Sequence, residues 1–122
     1  MGIKSVLSKP LASYVDKQTQ RWSMRAGDTQ KEVFQSLITG ANKTLFGDDH
    51  GFHEIRSFSD FSKQVPIRDY EGLKPYVEKI ISGKKDILWK GKPTYFAKTS
   101  GTTSGVKYIP ITKESMSNHI NG

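Results

Sequence analysis

The part of this sequence best suited to chemistry is a run of seven small residues, drawn only from serine, threonine and glycine. It reads Thr99-Ser-Gly-Thr-Thr-Ser-Gly105 and is followed by Val106 and Lys107. Gly101 and Gly105 allow a positive φ and a close approach of the backbone to a ligand, and successive amides can then form a concave nest for an anion. The hydroxyl groups add donors and Lys107 adds a positive charge. The segment therefore predicts a phosphate-binding loop.

This loop differs from the Walker A loop of P-loop nucleotide-binding proteins. A Walker A loop separates its two glycines by four residues and places lysine directly after the second. Here three residues separate Gly101 from Gly105, and Val106 precedes Lys107. A flexible hairpin loop without a ligand is the alternative interpretation. The flanking segments and the downstream lysine favour phosphate binding.

Two short strands are predicted on either side of the loop. Thr94–Lys98 is rich in aromatic and β-branched residues, which favour strands, and Tyr108–Ile111 is its expected partner. Pro110 has no amide to donate, so the second strand should be an edge strand or irregular there. Thr112 can cap a final helix over residues 113–119. A two-stranded hairpin is marginal by itself, so we expect further strands beyond residue 122.

Helices are predicted over most of residues 1–93. Apolar residues spaced near 3.6 from Val6 to Trp22 predict the first helix, with Pro10 in its first turn or at a kink. The spacing Thr29-Gln-Lys-Glu32 is that of a capping box and predicts the start of a second helix. Its apolar face runs to Leu45, and Gly47 is the expected C-cap.

Two further helix starts carry capping residues. Ser57, in Ser-Phe-Ser-Asp60, predicts a short helix between Phe52 and Val65. Asp69 predicts a helix that runs through Ile81 and stops at Gly83. Pro75 lies inside that helix and predicts a single turn followed by a kink or a restart.

Composition and charge limit the classes of partner. Hydrophobic residues make up 34 % of the 122 residues, which indicates a small or incomplete core. The 19 lysines and arginines exceed the 12 acidic residues, giving +7, and such a balance attracts anions. The basic residues are dispersed, so we expect no nucleic-acid partner. Without a long apolar run, a secretory signal or a cysteine, the expected location is cytoplasmic and no membrane partner is predicted.

Other polar and aromatic residues are expected to be structural. His50 and His53, with Asp48 and Asp49, lack the spacing of a structural zinc site, so a solvated loop is predicted there and no metal site. Tyr70, Tyr76 and Trp89 are expected to pack in or near the core. His119 is too isolated to form a nucleophile–base pair, so the catalytic residues stay unassigned.

Two segments resemble those of a known enzyme family. Thr99-Ser-Gly-Thr-Thr103 resembles the phosphate motif of adenylate-forming enzymes, in which Thr-Ser-Gly-Thr-Thr-Gly precedes Pro-Lys; Ser104 and Val106 depart from it, whereas Lys107 matches. These two departures, together with the segment Lys107-Tyr-Ile-Pro-Ile-Thr112, resemble the sequences of the Gretchen Hagen family, the auxin-responsive acyl-acid amido synthetases. The segment Val65-Pro-Ile-Arg-Asp-Tyr-Glu-Gly-Leu-Lys-Pro-Tyr-Val77 also resembles that family. The resemblance covers nearly the whole chain.

The resemblance implies an α/β fold in which N-terminal helices (residues 1–93) precede a strand–loop–strand–helix element (residues 94–122), together an incomplete piece of a larger adenylate-forming domain. It implies a ligase that uses ATP and Mg²⁺ to convert a carboxylic acid to acyl-AMP and then joins it to an amine, usually of an amino acid. The piece alone should be inactive. The implied nucleotide contacts are Thr99, Ser100, Gly101, Thr102, Thr103, Ser104 and, more weakly, Lys107.

Two alternative functions stay open at this point. One is an adenylating ligase that makes a coenzyme A thioester. The other is a basic nucleic-acid-binding module, which would show a clustered basic face and an affinity that falls steeply with salt. The sequence names neither the acid, nor the amine, nor the oligomeric state.

Overall fold

The computed structural model describes the backbone of residues 3–101 and 105–121, and the side chains of residues 8–101 and 105–120. Helices precede a two-stranded antiparallel sheet, and one helix follows it, as expected for an α/β class. The elements are α1 (Ile3–Met24), α2 (Ala26–Ala41), α3 (Leu45–Asp49), a 3-10 helix (Phe52–Glu54), α4 (Phe58–Gln64), α5 (Tyr70–Ile81), β1 (Tyr95–Lys98), β2 (Tyr108–Ile111) and α6 (Lys113–Asn121).

Two compact units divide the chain, residues 1–36 and residues 37–122. The first contains α1, which confirms the helix predicted from Val6 to Trp22. Pro10 lies inside α1, beyond its first turn. The apolar side chains of Leu11, Tyr14 and Trp22 are exposed. Every helix within residues 3–121 that the structure describes is too short or too polar to cross a lipid bilayer.

The start of α2 differs from the prediction. The helix begins at Ala26, and the amide of Thr29 already donates to the carbonyl of Arg25, 2.8 Å away. An N-cap residue lies outside that pattern of intrahelical bonds, so the predicted capping box at Thr29 and Glu32 is wrong. The residues before Thr29 are already helical, so Thr29 lies inside α2.

The end of α2 also differs from the prediction, because α2 stops at Ala41 and a separate helix, α3, includes Leu45 and Gly47. The Thr44 hydroxyl accepts from the Gly47 amide at 3.0 Å and donates to the Ala41 carbonyl at 2.7 Å. It therefore caps α3. Gly47 is a buried helical residue and not a C-cap.

Distant backbone bonds hold α3 in this position. The amide of Leu45 donates to the carbonyl of Asp86 at 2.8 Å, and the amide of Phe46 donates to the carbonyl of Ile87 at 3.0 Å. Because the first amides of a helix have no partner inside it, these bonds satisfy donors that would otherwise be unpaired.

Gly47 leaves no space for a side chain, which makes Gly47→Ala a test of this turn. A Cβ at position 47 would lie 2.1 Å from the carbonyl oxygen of Ala41. We expect the substitution to lower the free energy of unfolding by about 1–3 kcal/mol, the usual effect of overpacking, as measured by urea denaturation.

The matched control for that variant is Gly27→Ala. A Cβ at Gly27, inside α2, would have no described heavy atom within 4 Å. Alanine there should raise stability by about 0.5–1 kcal/mol, because glycine is a poor helix residue. Equal effects of the two substitutions would contradict the tight turn at Gly47.

The helices α4 and α5 begin at the predicted caps. Ser57 and Asp60 form a capping box. The hydrogen bond from the Arg56 amide, followed by that with the Ser57 side chain, lowers the pKa of the Asp60 carboxyl below its usual value. Asp69 caps α5 by accepting from the Gly72 amide at 3.1 Å. Both predictions are confirmed.

The predicted stop of α5 is confirmed, whereas the restart that was one of the two alternatives at Pro75 is not found. Gly83 has φ +93°, its amide donates to the Ile80 carbonyl, and the amide of Lys84 donates to the Lys79 carbonyl. This is the Schellman arrangement of a helix C-terminus. Upstream, α5 continues through Pro75 as a single helix.

The core of residues 37–122 is small and lies between α5 and the segments around α3 and Ile87. Its buried hydrophobic residues are Ile38, Ala41, Phe52, Ile55, Val77, Ile80 and Ile87. Trp89 covers α2 at Gly40, where an added Cβ would lie 2.2 Å from the indole ring. The core therefore secures α5, the helix that faces the hairpin.

The hairpin of β1 and β2 has a register that accommodates proline. Phe96 pairs with Pro110, and Lys98 pairs with Tyr108. The amide of Thr99 donates to the carbonyl of Lys107 at 3.0 Å, so by alternation the pairs at Pro110 and Tyr108 are not hydrogen-bonded to β1. The missing amide of Pro110 therefore costs the pairing nothing. Beyond β2, Thr112 caps α6 by accepting from the Ser115 amide at 3.2 Å, as predicted.

Candidate functional site

The candidate phosphate loop connects β1 to β2, and its two ends are joined by hydrogen bonds. Besides the backbone bond from Thr99 to Lys107, the amide of Lys107 donates to the Thr99 hydroxyl oxygen at 3.3 Å. Thr99 and Lys107 are half-buried. The Thr99 hydroxyl therefore closes the loop as an acceptor and keeps its own proton free to be donated.

The two glycines of the loop have different physical roles. Gly105 takes φ +80°, as predicted. Gly101 is not among the residues with positive φ, so it does not use the freedom of φ that glycine allows. What requires glycine there is close packing, because a Cβ on Gly101 would lie 2.2 Å from the carbonyl carbon and oxygen of Gly105.

The structure describes only some of the remaining residues that were predicted to contact the nucleotide. Ser100 and Gly101 are exposed, where a ligand could reach them. Thr102, Thr103 and Ser104 lie outside the described residues, so their predicted role is carried by the sequence pattern alone.

Lys107 follows the loop and points its charge over an aromatic ring. Its Nζ lies 5.7 Å from the centroid of the Tyr70 ring, within the range of a cation–π interaction. Tyr70 is the first residue of α5, directly after the cap Asp69. The start of α5 therefore supports the cation that follows the loop.

Tyr70 also binds the backbone next to Lys107, a role that the sequence analysis missed. Its hydroxyl accepts from the Tyr108 amide at 2.9 Å and donates to the Tyr108 carbonyl at 3.3 Å. The sequence predicted only packing for Tyr70. The one signal available was its position immediately after a helix cap, inside a segment that resembles the family.

An apolar groove of about 300 Å³ lies beside this contact, between α5, β2 and the turn before β1. Aliphatic and aromatic side chains dominate its walls, and Trp89 lines it, as expected of a packing residue. The lining residues are Tyr70, Leu73, Val77, Ile80, Ile87, Leu88, Trp89, Gly91, Pro93, Tyr108, Ile109, Pro110 and Thr112.

His50 is buried and structural, contrary to the solvated loop predicted for it. Only 8 % of the residue is exposed. The Arg68 guanidinium, which has only donors, lies 2.8 Å from His50 Nε2, so Nε2 accepts. Nδ1 then carries the proton and donates to the Phe46 carbonyl at 2.7 Å. His53, in contrast, is exposed.

A tyrosine completes this polar and aromatic cluster. The hydroxyl of Tyr76, on α5, donates to the Asp49 carboxylate at 2.7 Å, and burial, followed by that bond, raises the pKa of Tyr76. Tyr76 also meets the Phe46 ring edge-on at 5.2 Å. The cluster joins α3 to α5. Within the described residues, no group of three or more His, Cys, Asp or Glu side chains is arranged to hold a metal ion.

A hydroxyl-rich hairpin loop supported by a capped helix is a candidate nucleotide-binding element of an α/β protein. Residues 16–122 match the model of the GH3 family N-terminal domain. The chain therefore belongs to the GH3 family, which confirms the resemblance to the Gretchen Hagen proteins.

Several curated relatives carry names that describe amide-forming ligases. A probable indole-3-acetic acid-amido synthetase of Oryza sativa subsp. japonica is 40 % identical over 104 residues, 75 % of this chain and 22 % of the relative. A jasmonoyl–L-amino acid synthetase of Nicotiana attenuata is 29 % identical over 93 residues, 75 % of this chain and 16 % of the relative. A 4-substituted benzoates-glutamate ligase of Arabidopsis thaliana is 28 % identical over 109 residues, 84 % of this chain and 18 % of the relative. The chain thus spans about a fifth of the length of these relatives.

Proposed function

We propose that this chain is the N-terminal part of the large domain of an ATP-dependent ligase that activates a carboxylic acid as acyl-AMP and conjugates it to an amino acid. Family membership supports the ligase class, and the names of the relatives support an acid and an amino acid as substrates. The observation that carries the nucleotide assignment is the closed hairpin loop, with Thr99 bonded to Lys107 and Gly101 packed on Gly105.

The proposed role of the loop is to hold the β- and γ-phosphates of ATP. In the first step the carboxylate attacks the α-phosphate and pyrophosphate leaves; in the second, the amine attacks the acyl carbon and AMP leaves. Negative charge moves to pyrophosphate in the first step, so donors fixed around it lower the barrier. The proposed donors are the amides near Gly101, the hydroxyls of Thr99, Ser100, Thr102, Thr103 and Ser104, and the Lys107 ammonium.

The geometry of the described residues fits a phosphate in this loop. A phosphate binds closely to backbone amides where no Cβ intervenes, and Gly105 meets this condition, since an added Cβ there would have no described heavy atom within 4 Å. The Lys107 charge lies at the loop's exit, supported by Tyr70. Mg²⁺ is proposed to bind together with ATP and to screen its phosphates.

Isotope exchange between pyrophosphate and ATP tests the proposal. The assay uses the family-length polypeptide, meaning a polypeptide in which these 122 residues are continued to the length of the GH3 relatives. We expect exchange that depends on an added acid from a panel of indole-3-acetic acid, jasmonic acid and substituted benzoic acids. Exchange that is absent with every acid, or present without one, would contradict the proposal.

The product distinguishes amide formation from the thioester alternative. With the active acid and ATP, we expect amino acids to yield an amide that mass spectrometry detects, whereas coenzyme A yields no thioester. A thioester product would move the chain to the acyl-CoA-forming class. Salt-sensitive, sequence-selective binding of nucleic acid would instead support the basic binding module.

A further inference from the structure

We propose that Tyr70 is a positioning residue for the candidate phosphate loop, acting through the backbone of Tyr108 and the charge of Lys107. This inference rests on the proposed function of the loop. Tyr70 lies on α5, outside the Ser/Thr/Gly motif, and it holds the loop in the conformation that binds phosphate.

Tyr70 bonds to backbone groups of Tyr108 that have no partner within the hairpin. Because the pair of Lys98 and Tyr108 is not hydrogen-bonded within the hairpin, the amide and carbonyl of Tyr108 point away from β1. The single hydroxyl of Tyr70 satisfies both, at 2.9 Å and 3.3 Å. It occupies the place that a residue of a neighbouring strand would take.

The backbone of Tyr70, which makes this contact, is held rigidly. Tyr70 begins α5, which is fixed at its start by the Asp69 cap and further along by the buried side chains of Val77 and Ile80. A hydroxyl on a capped, packed helix is held more firmly than one on a loop. The position of Tyr108 relative to α5 is therefore set by Tyr70.

The neighbour of Tyr108 in the chain connects this contact to the loop. Lys107 directly precedes it, bonds through its amide to Thr99, and places its Nζ 5.7 Å from the Tyr70 ring centroid. The hydroxyl thus fixes the backbone at the loop's exit, and the ring fixes the direction of the cation. A loop that is held correctly only part of the time binds its ligand with an affinity reduced by that fraction.

The substitution Tyr70→Phe separates the hydroxyl from the ring, because it removes both bonds to Tyr108 and keeps the aromatic face under Lys107. In the family-length polypeptide we expect hydrogen exchange at the Tyr108 amide to accelerate by about tenfold. We also expect the KM for ATP in pyrophosphate exchange to rise by about tenfold, with the KM for the carboxylic acid unchanged. A purely structural loss would lower kcat through the fraction of folded enzyme and leave both KM values unchanged.

The matched control is Tyr95→Phe, which removes a hydroxyl from a tyrosine that is 60 % exposed on β1. It should leave Tyr108 exchange and both KM values as in the wild type. Wild-type protein supplies a second measurement that needs no variant. Because coupling between two sites is reciprocal, saturating ATP should slow Tyr108 amide exchange by a similar factor.

The outcomes separate this inference from the proposed function. Faster Tyr108 exchange with a raised KM for ATP supports the positioning role. Faster exchange with an unchanged KM overturns it, as does Tyr108 exchange that responds to neither Tyr70→Phe nor ATP. A wild-type polypeptide that lacks carboxylate-dependent exchange overturns the proposed function itself, and the positioning role with it, whatever Tyr108 does.

Discussion

Replacing Thr102 and Thr103 together by valine is expected to lower carboxylate-dependent pyrophosphate exchange by about one hundredfold or more. Each hydrogen bond to a charged group contributes roughly 1.5–3 kcal/mol, and about 1.4 kcal/mol corresponds to a tenfold change in rate. Valine keeps the branched shape of threonine and removes the hydroxyl donor. The measurement is the rate of exchange in the family-length polypeptide, compared at equal folded concentration.

The control for the double variant is Lys85→Ala, which removes a positive charge from the exposed segment after α5. If the loop hydroxyls hold the phosphates, Lys85→Ala should leave the exchange rate near that of the wild type. An unchanged rate in the double variant, or an equal loss with Lys85→Ala, would show that Thr102 and Thr103 are not phosphate ligands.

Gly101→Ala is expected to reduce the same exchange rate by about one hundredfold, the effect that a displacement of about 1 Å can have on a catalytic arrangement. The added Cβ would lie 2.2 Å from the carbonyl carbon and oxygen of Gly105. Backbone atoms cannot swing aside as a flexible side chain can, so the two arms of the loop must separate. Binding of ATP, measured by equilibrium dialysis, should weaken in parallel.

The informative comparison is Gly105→Ala in the same loop. Position 105 has φ +80° and no described heavy atom within 4 Å of an added Cβ, so alanine there meets only backbone strain of about 1–2 kcal/mol. We expect a loss of exchange smaller than that of Gly101→Ala. Equal or larger damage from Gly105→Ala would mean that the sign of φ, and not the close packing at Gly101, determines the loop's shape.

Local chemistry was enough to predict much of the fold. Ser57, Asp69 and Thr112 were recognised as helix caps because each needs only an amide about three residues ahead. Gly83 was recognised because a helix C-terminus favours a residue that tolerates positive φ. The strand at Tyr108–Ile111 was predicted with its observed bounds, since its pattern is complete within four residues.

The errors around α2 and α3 have a non-local cause. Leu45 and Phe46 donate their amides to Asp86 and Ile87, about forty residues further along the chain. Periodicity in a window of sequence contains no information about such bonds, so the apolar face of α2 seemed to continue to Leu45. The environment of His50 was mispredicted for the same reason. Its partner Arg68 is 18 residues away, and this contact makes His50 part of a buried cluster instead of a solvated loop.

The residues that could bind phosphate were predicted from the sequence, but the residue that holds the loop in position was not. The Ser/Thr/Gly run and Lys107 were identified from residue types alone. Tyr70 was not, because its hydroxyl acts on a backbone 38 residues away, and a tyrosine after a helix cap is compatible with simple packing. The sequence indicated two uses for Gly101, a positive φ and a close approach of the backbone, and it does not distinguish a glycine required for φ from one required for close packing.

The register of the hairpin makes its sheet able to grow on one side only. Along β2, the amide and carbonyl of Tyr108, which point away from β1, are hydrogen-bonded to the Tyr70 hydroxyl, and Pro110 has no amide to donate. Along β1, the outward-facing residues are Phe96 and Lys98, and both carry an amide and a carbonyl. A third strand can therefore form a regular ladder only beside β1. The helix α5 and the C-terminal end of the candidate loop therefore lie at the edge of any larger sheet to which no regular strand can be added. At that edge, Tyr70 of α5 makes the hydrogen bonds that a neighbouring strand would make.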